Sequence, residues 1–339
     1  MKPATHNTTC RIPRPSWIAT MMLLTFGGLR VAAQDIHFSQ IDVNPILYNP
    51  AYSGFFDGSG RFGVAYRNQW ASVGEAFQTV AATAEYSLVR RRRHHDGFNI
   101  GAFLYSDRAG ALRYGTTSGS AVLSYYRAVG SHSDNLVSLA VEAGYGQAGF
   151  DPSDARLMDE TETFEQNAVS YPLIGAGVAF FSQPNDDFYI KAGLSARNLN
   201  RPNISYLGLD DTYLERKFNG YLRAEYRAWA DVAVQPLLAC QFQKNYSEFI
   251  VGADAKWYIS ESSFEQISFS GGLHYRVLDA LYTEFTLEYN AFLFALSYDA
   301  NLSKLTPASK SLGAFELGIV YRLSNRTQVR RKAMPCPII

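Results

Sequence analysis

Two clusters of basic residues are the first candidates for a functional site in this 339-residue chain. One stands in a predicted turn, directly before His94 and His95, and the other lies in the C-terminal tail. Their members are Arg90, Arg91, Arg92, Arg93, Arg330, Arg331 and Lys332. Such groups bind acidic protein surfaces or lipid phosphates. The sequence therefore predicts a docking site, and a solvated turn without a partner is the alternative.

Histidines and carboxylates do not form a recognisable metal or catalytic site in the sequence. His94 and His95 have no cysteine or carboxylate cluster at ligand spacing. The acidic segment 150–172 could hold divalent cations, but it lacks an EF-hand register, so a solvated loop is the alternative. Nucleophile-elbow, zinc-protease, P-loop and dinucleotide motifs are absent from the sequence. We predict no enzymatic activity, no cofactor and no metal.

Alternation of apolar and polar residues is the main structural signal. In the stretch 217–227, KFNGYLRAEYR, apolar or small residues alternate with polar and charged ones, which is the period of a strand. The pattern recurs from residue 60 to residue 323 without helical segments. Candidate strands are 60–70, 77–89, 97–107, 115–129, 135–149, 173–181, 187–197, 217–229, 232–243, 247–259, 265–277, 281–289, 291–299 and 313–323.

The length and number of these strands predict an all-β transmembrane antiparallel β-barrel of the outer-membrane type, with about 14 strands (a range of 12–16). Most candidates reach the roughly 9–11 residues that a tilted membrane strand needs. With the N-terminus in the periplasm, the longest connections, 150–172, 198–216 and 300–312, face outward, as such barrels require. Pro236, which cannot donate a ladder hydrogen bond, predicts a bulge or broken pairing in strand 232–243.

The polar face of the strands would line the interior of the barrel. Its charged members are Glu85, Arg223, Glu225, Arg227, Asp254, Lys256, Glu284, Glu288, Glu316 and Arg322. Both signs are mixed, which favours a lattice of ion pairs over a selective pore, because no single sign dominates to attract one class of ion. A selective pore is the alternative.

The ends of the chain are predicted to lie outside the barrel. Residues 1–33 resemble a signal peptide, with a basic start, the apolar stretch 17–29 and cleavage near Ala33 or Gln34. An uncleaved anchor helix is the alternative. Residues 34–59 are expected to form a periplasmic segment packed on the rim or mouth of the barrel, and residues 324–339 a periplasmic tail.

Composition limits the choice of partners and covalent links. The chain has 31 basic and 31 acidic residues, so charge gives no indication of a nucleic-acid partner. Cys240 and Cys336 would remain after export, which permits a disulfide between them. A buried free thiol at Cys240 is the alternative.

Three stretches resemble motifs of the PorP/SprF family in order and spacing. The first follows HFSQ at 37–40 and consists of Asn49, Pro50, Ala51 and Gly54. The second is YRNQW on the first strand, with Tyr66, Arg67, Gln69 and Trp70. The third, in the closing strands, includes Tyr298, Asp299 and Glu316, and a Cys-Pro pair follows in the tail. The resemblance spans nearly the whole mature chain.

This resemblance implies a role in the type IX secretion and gliding machinery of Bacteroidota. It implies an outer-membrane protein without enzymatic activity, which assists export or surface anchoring of a large adhesin and contacts periplasmic components of the machinery. The expected partners are those components, the adhesin and outer-membrane lipids. A porin or ligand transporter is the alternative function.

Overall fold

A computed structural model of the chain describes residues 38–69, 77–91, 96–110, 113–130, 135–150, 167–206, 212–262, 265–303 and 312–323. These residues form one closed antiparallel barrel in which each strand pairs with its neighbours in sequence and the last strand pairs with the first. The strands are β1 Gly60–Gln69, β2 Phe77–Arg91, β3 Asp96–Ala109, β4 Tyr114–Val129, β5 Asn135–Gly149, β6 Ala168–Asn185, β7 Phe188–Arg197, β8 Lys217–Trp229, β9 Val232–Gln243, β10 Tyr246–Glu261, β11 Gln266–Arg276, β12 Ala280–Tyr289, β13 Phe292–Asn301 and β14 Leu312–Leu323. The prediction of an all-β barrel of about 14 strands is confirmed.

The two faces of the strands differ as the alternation predicts. Large apolar side chains point outward, and Leu104, Leu194 and Ile259 are each more than 60% exposed. Polar side chains such as Asn99 and Glu142 are buried inside. An apolar outer surface that continues around a closed sheet matches a lipid environment, since closure leaves no unpaired edge in the bilayer.

Helices play little part in the described residues. One α-helical turn, α1, covers Pro45–Tyr48, and one 3₁₀ turn covers Pro50–Tyr52. Neither these turns nor any other described helix combines the length and the apolar character that a bilayer crossing demands.

A charge placed on the outer face provides a test of lipid contact. Val141 lies in the middle of β5 and is 59% exposed. We expect Val141→Arg to lower the free energy of unfolding in lipid vesicles by about 2–4 kcal/mol, the cost of a cationic side chain near the bilayer midplane. Val141→Leu is the control and should be close to neutral. Equal stability of the two variants would contradict contact between this face and lipid.

The two ends of the barrel differ in their connections. We call the end where β1 begins and β14 ends the base, and the opposite end the loop end. The longest connections, 150–167, 198–216 and 302–311, all lie at the loop end. The short connection between β12 and β13 lies at the base and contains Asn290, whose φ of 52° is typical of a tight hairpin turn.

Pro236 locally interrupts one ladder without shifting its register. β9 pairs with β10 in continuous register through this residue. On its other side, pairing with β8 passes from Arg223–Leu237 directly to Tyr226–Val234, leaving the intervening residues unpaired. The missing proline N–H accounts for the break. The predicted local loss of pairing is therefore present, while no bulge forms at Pro236 itself.

The segment before β1 lies inside the barrel. We call residues 38–56 the plug. Its apolar side chains, among them Ile46 and Tyr52, are buried against the inward-facing Phe103 and Phe181 and form the largest apolar cluster of the described residues. The expected position at the rim or mouth is therefore wrong for these residues. Apolar and polar residues do not alternate in the plug, because the barrel wall surrounds it on several sides. A search for alternation assumes one apolar and one polar face, and it therefore does not detect this environment.

Candidate functional site

The backbone of the plug is hydrogen-bonded to opposite walls of the barrel. The N–H groups of Ser39 and Gln40 donate to the carboxylate of Glu316 at 2.8 and 3.1 Å. On the opposite wall, the Tyr48 carbonyl accepts hydrogen bonds from Ser195 Oγ at 2.7 Å and Asn219 Nδ2 at 2.8 Å. Polar residues of the lumen thus replace the water that these backbone groups would otherwise bind.

A buried ionic cluster surrounds the start of the plug. The Arg67 guanidinium donates to Glu316 and, at 3.1 Å, to Asp299. Arg276 donates to the same Asp299 carboxylate at 3.0 Å and lies 3.3 Å from Glu248. All these side chains are at most 3% exposed. The cluster therefore ties β1, β10, β11, β13 and β14 together in an environment where each charge depends on its partner.

Asp42 is the ionic contact of the plug itself, and it is the only charged residue among 38–56. Its carboxylate accepts from Lys191 Nζ at 2.5 Å, Arg223 Nη1 at 2.6 Å and Tyr221 Oη at 2.9 Å. Arg61 donates to its backbone carbonyl at 2.6 Å. Burial opposes ionisation, but Lys191 and Arg223 together hold the pKa of Asp42 below its usual value. The carboxylate is therefore charged at neutral pH, and this contribution to stability is lost only as the pH falls through that lowered pKa.

Asn49 fits into a seat built from two glycines. Its amide donates to the carbonyls of Val178 on β6 and Leu194 on β7 at 3.0 and 3.2 Å. The adjacent wall residues are Gly177 and Gly193. A Cβ atom on them would come within 2.1 and 2.6 Å of the Asn49 amide, so any larger residue would displace the plug. The Asn49 Oδ1 also caps the 3₁₀ turn by accepting from Ala51 N–H at 2.9 Å.

A cavity of about 180 Å³ lies between the plug and the wall. Its lining includes residues close to the strand ends at the base, such as Tyr189, Glu288 and Leu293. Glu288 accepts from Lys256 at 2.6 Å and from Arg322 at 2.8 Å. The base half of the lumen thus contains both a free volume and a network of charges.

The predicted lattice of ion pairs is present. It includes Arg223–Asp254 at 2.7 Å in the middle of the lumen and the more exposed pair Arg227–Glu261 at 2.6 Å near the base. Acidic and basic groups are mixed in the described lumen, and the plug packs among them and leaves the cavity of about 180 Å³ beside the wall. This arrangement differs from the selective pore considered as the alternative.

The family-motif residues do not all come together. Arg67, Asp299 and Glu316 meet in the buried ionic cluster around the start of the plug, which we call the loop-end cluster. Gln69 lies 3.3 Å from Arg67. Asn49, Pro50, Ala51 and Gly54 belong to the plug. The Tyr66 hydroxyl accepts a hydrogen bond from the Asn68 amide. Tyr298 points outward and is 42% exposed, and Trp70 lies outside the described residues.

The predicted docking residues are only partly covered by the structure. Arg90 and Arg91 end β2 at the base, where their backbones pair with Gly97 and Asp96. The other members, Arg92, Arg93, Arg330, Arg331 and Lys332, lie outside the described residues, as do His94, His95 and Cys336. The proposed docking role and the disulfide therefore stay predictions. Cys240 is a half-buried free thiol on β9.

The described residues hold no group of three histidine, cysteine or carboxylate side chains arranged for a metal. His274 is fully buried, donates a hydrogen bond from Nε2 to Asp254 Oδ1 at 3.1 Å and stacks on Tyr282 with a ring separation of 4.8 Å. This is a hydrogen-bonded, packed histidine on the inner face of β11. Sequence reasoning missed Asp42, Lys191 and Asn219, because their partners lie in a segment whose position alternation does not reveal.

Comparison with known proteins gives one family and several barrel structures. No curated protein sequence matches significantly. Among solved structures, the CymD monoaromatic hydrocarbon channel is 10% identical, with 87% of this chain and 96% of that chain covered and a TM-score of 0.48. The Pseudomonas putida toluene transporter TodX is 9% identical, with 85% and 94% covered and a TM-score of 0.44. CdiB from Acinetobacter baumannii is 8% identical, with 78% and 60% covered and a TM-score of 0.43.

The sequence itself provides the assignment. Residues 30–321 match the family described as "Type IX secretion system membrane protein PorP/SprF". The match includes the whole plug and nearly all of the barrel, so it covers far more than the motif residues alone. The chain therefore belongs to the PorP/SprF family of type IX secretion system membrane proteins.

Proposed function

We propose that this protein is a closed outer-membrane anchor of the type IX secretion machinery, which docks periplasmic components at its base and presents its loop end to an exported adhesin. The observation that supports this role is the plug, which occupies the lumen and is bonded to opposite walls at Glu316, Ser195 and Asn219. A barrel with a plug in its lumen is suited to binding other proteins rather than to transporting a substrate through the lumen. Export or surface retention of the cargo would take place beside it.

A porin or ligand transporter is the alternative, and it requires a continuous water-filled or ligand-sized path. The plug opposes that path, since its contacts reach from β1 and β14 across the lumen to β7 and β8. Family membership adds the secretion machinery as the context. It also accords with a non-enzymatic role, because the proposed work is binding.

Loss of charge at the base provides the test of docking. We expect replacement of Arg90–Arg93 by glutamine to reduce the recovery of periplasmic machinery proteins with the tagged barrel from membranes, because charge-assisted contacts are lost. The matched control is Arg201→Gln with Arg216→Gln, which removes basic charge from the connection 198–216 at the loop end. Heat-modifiable migration in gels would confirm folding of both variants. Equal recovery of the partners with both would contradict docking through the basic turn.

A further inference from the structure

The loop-end turn between β11 and β12 carries an unusual residue at its tip. Leu278 has a φ of 62°, in the left-handed region that favours glycine and asparagine. The other described non-glycine residues with a positive φ are all polar, namely Arg113, Asn198, Arg201, Lys244 and Asn290. Leu278 is also 66% exposed. A bulky apolar residue therefore occupies a strained position on the surface, which contact with water would not favour.

Hydrogen bonds on both sides hold the turn in this conformation. The Val277 N–H donates to the Phe249 carbonyl of β10 at 2.9 Å, and the Leu302 N–H after β13 donates to the Asp279 carbonyl at 2.8 Å. Asp279 is the one charged residue of the turn 277–279, and its carboxylate pairs with the buried Arg276 at 3.2 Å. Strained backbone persists where its surroundings fix it in this way. The apolar tip is therefore a fixed feature of the rim.

The apolar surface around the tip continues the outer face of the barrel. Val277 and Leu302 are exposed beside Leu278. Tyr275 on β11 and Tyr298 on β13 point outward just before them, where tyrosine is typical of the boundary between the bilayer and water. The three aliphatic side chains thus extend the apolar face beyond these tyrosines, to the level of the lipid headgroups.

Another part of the loop end changes to polar residues much earlier. A row of directly paired, outward-facing residues crosses β3 to β6 and consists of Ser106, Thr117, Gln147 and Ser170. The Ser106 and Thr117 hydroxyls lie 3.1 Å apart, and Gln147 Nε2 donates to Ser170 Oγ at 3.3 Å. Each of these strands continues at least two residues beyond the row toward the loop end. Polar residues therefore begin within the strands here, whereas at β11 apolar residues continue past the strand end.

We propose that the turn 277–279, together with Leu302, is a lipid anchor that inserts Leu278 into the headgroup layer at the loop end. Lipid is the occupant of this patch, because the patch is continuous with the outer face that the bilayer covers. Contact of the leucine with acyl chains offsets the strain of its backbone. A water-soluble partner would accordingly meet the outer face at the polar row of β3 to β6 and not at this turn. The anchor does not depend on the proposed docking role.

Spin labels in the purified full chain in phospholipid nanodiscs test the depth of the turn. Leu278→Cys carries the label, and Ser170→Cys in the polar row is the matched control, each with the native cysteines changed to serine. We expect oxygen, which concentrates in lipid, to collide with the label at 278 more than a water-soluble nickel chelate does, and the reverse at 170. More frequent collision with nickel at 278 would overturn the proposal. Low collision with both reagents would show a second copy of the chain as the cover and would overturn it too.

Loss of the apolar tip measures its contribution without a label. Leu278→Lys places at the tip a residue that already adopts this backbone conformation at Lys244, in the turn between β9 and β10. We expect it to raise the equilibrium constant for unfolding in lipid vesicles about tenfold, since the leucine contact with lipid is lost. Lys244→Gln is the control and should change the constant less than about twofold, because the 3.7 Å pair with Glu215 is exposed. An unchanged constant in Leu278→Lys would overturn the anchor.

Discussion

Deletion of residues 38–56 is expected to convert the closed barrel into a steadily conducting channel in planar bilayers. This segment packs across the described lumen, and the barrel walls are joined to each other by fourteen strand pairs that do not need it. Lys191, which would lose its partner Asp42, would be hydrated by the water that enters. The full chain is expected to show no steady current under the same voltage.

Smaller changes in the plug provide the controls for that experiment. Asp42→Asn removes the one charge that the plug contributes to the wall, so brief openings are expected in place of a steady current. Asp57→Asn removes a charge just beyond the plug and should leave the barrel closed. A barrel that stays closed after deletion of 38–56 would show that the plug does not limit conduction, and the anchoring role would lose its main support.

Arg67→Ala is expected to destabilise the barrel strongly. It removes the cation between Asp299 and Glu316, which would then face each other nearly without water. Breaking a buried pair in this way costs about 3–5 kcal/mol, because the remaining charge keeps its desolvation penalty. Unfolding by urea in lipid vesicles would measure the loss.

Arg227→Ala is the matched control for Arg67→Ala. Its partner Glu261 is 55% exposed, so the loss of this pair is screened by solvent and should cost no more than about 1 kcal/mol. A second control is the double replacement Arg67→Met with Glu316→Gln, which leaves fewer unpaired charges and should recover part of the stability. Similar losses for Arg67→Ala and Arg227→Ala would contradict a special role for the loop-end cluster.

The strands could be predicted from sequence because each residue has only two environments to choose between. A strand residue that faces lipid is apolar and one that faces the lumen is mostly polar. The resulting period of two is visible in stretches such as 217–227 and 313–323. Lengths beyond nine residues then separate membrane strands from those of soluble proteins. Even Pro236 could be interpreted in advance, because the absence of an N–H is a property of the residue alone.

The plug and its seat could not be predicted in the same way. Ser39 binds Glu316 across 277 positions of sequence, and no local period reports such a contact. Gly177 and Gly193 look like ordinary small residues of strands until Asn49 is placed against them. Residue types showed that the lumen is charged, but only the fold shows which charges are paired.

The position of the plug also constrains biogenesis. Ser59 N–H donates to the Leu323 carbonyl at 2.8 Å, so the seam that completes the ring lies directly beside the point where the plug leaves it. The plug, residues 38–56, is thus enclosed by the strands that follow it in sequence. An insertion catalyst that adds hairpins one at a time would therefore assemble the barrel around the plug, which would act as an internal template until β14 pairs with β1.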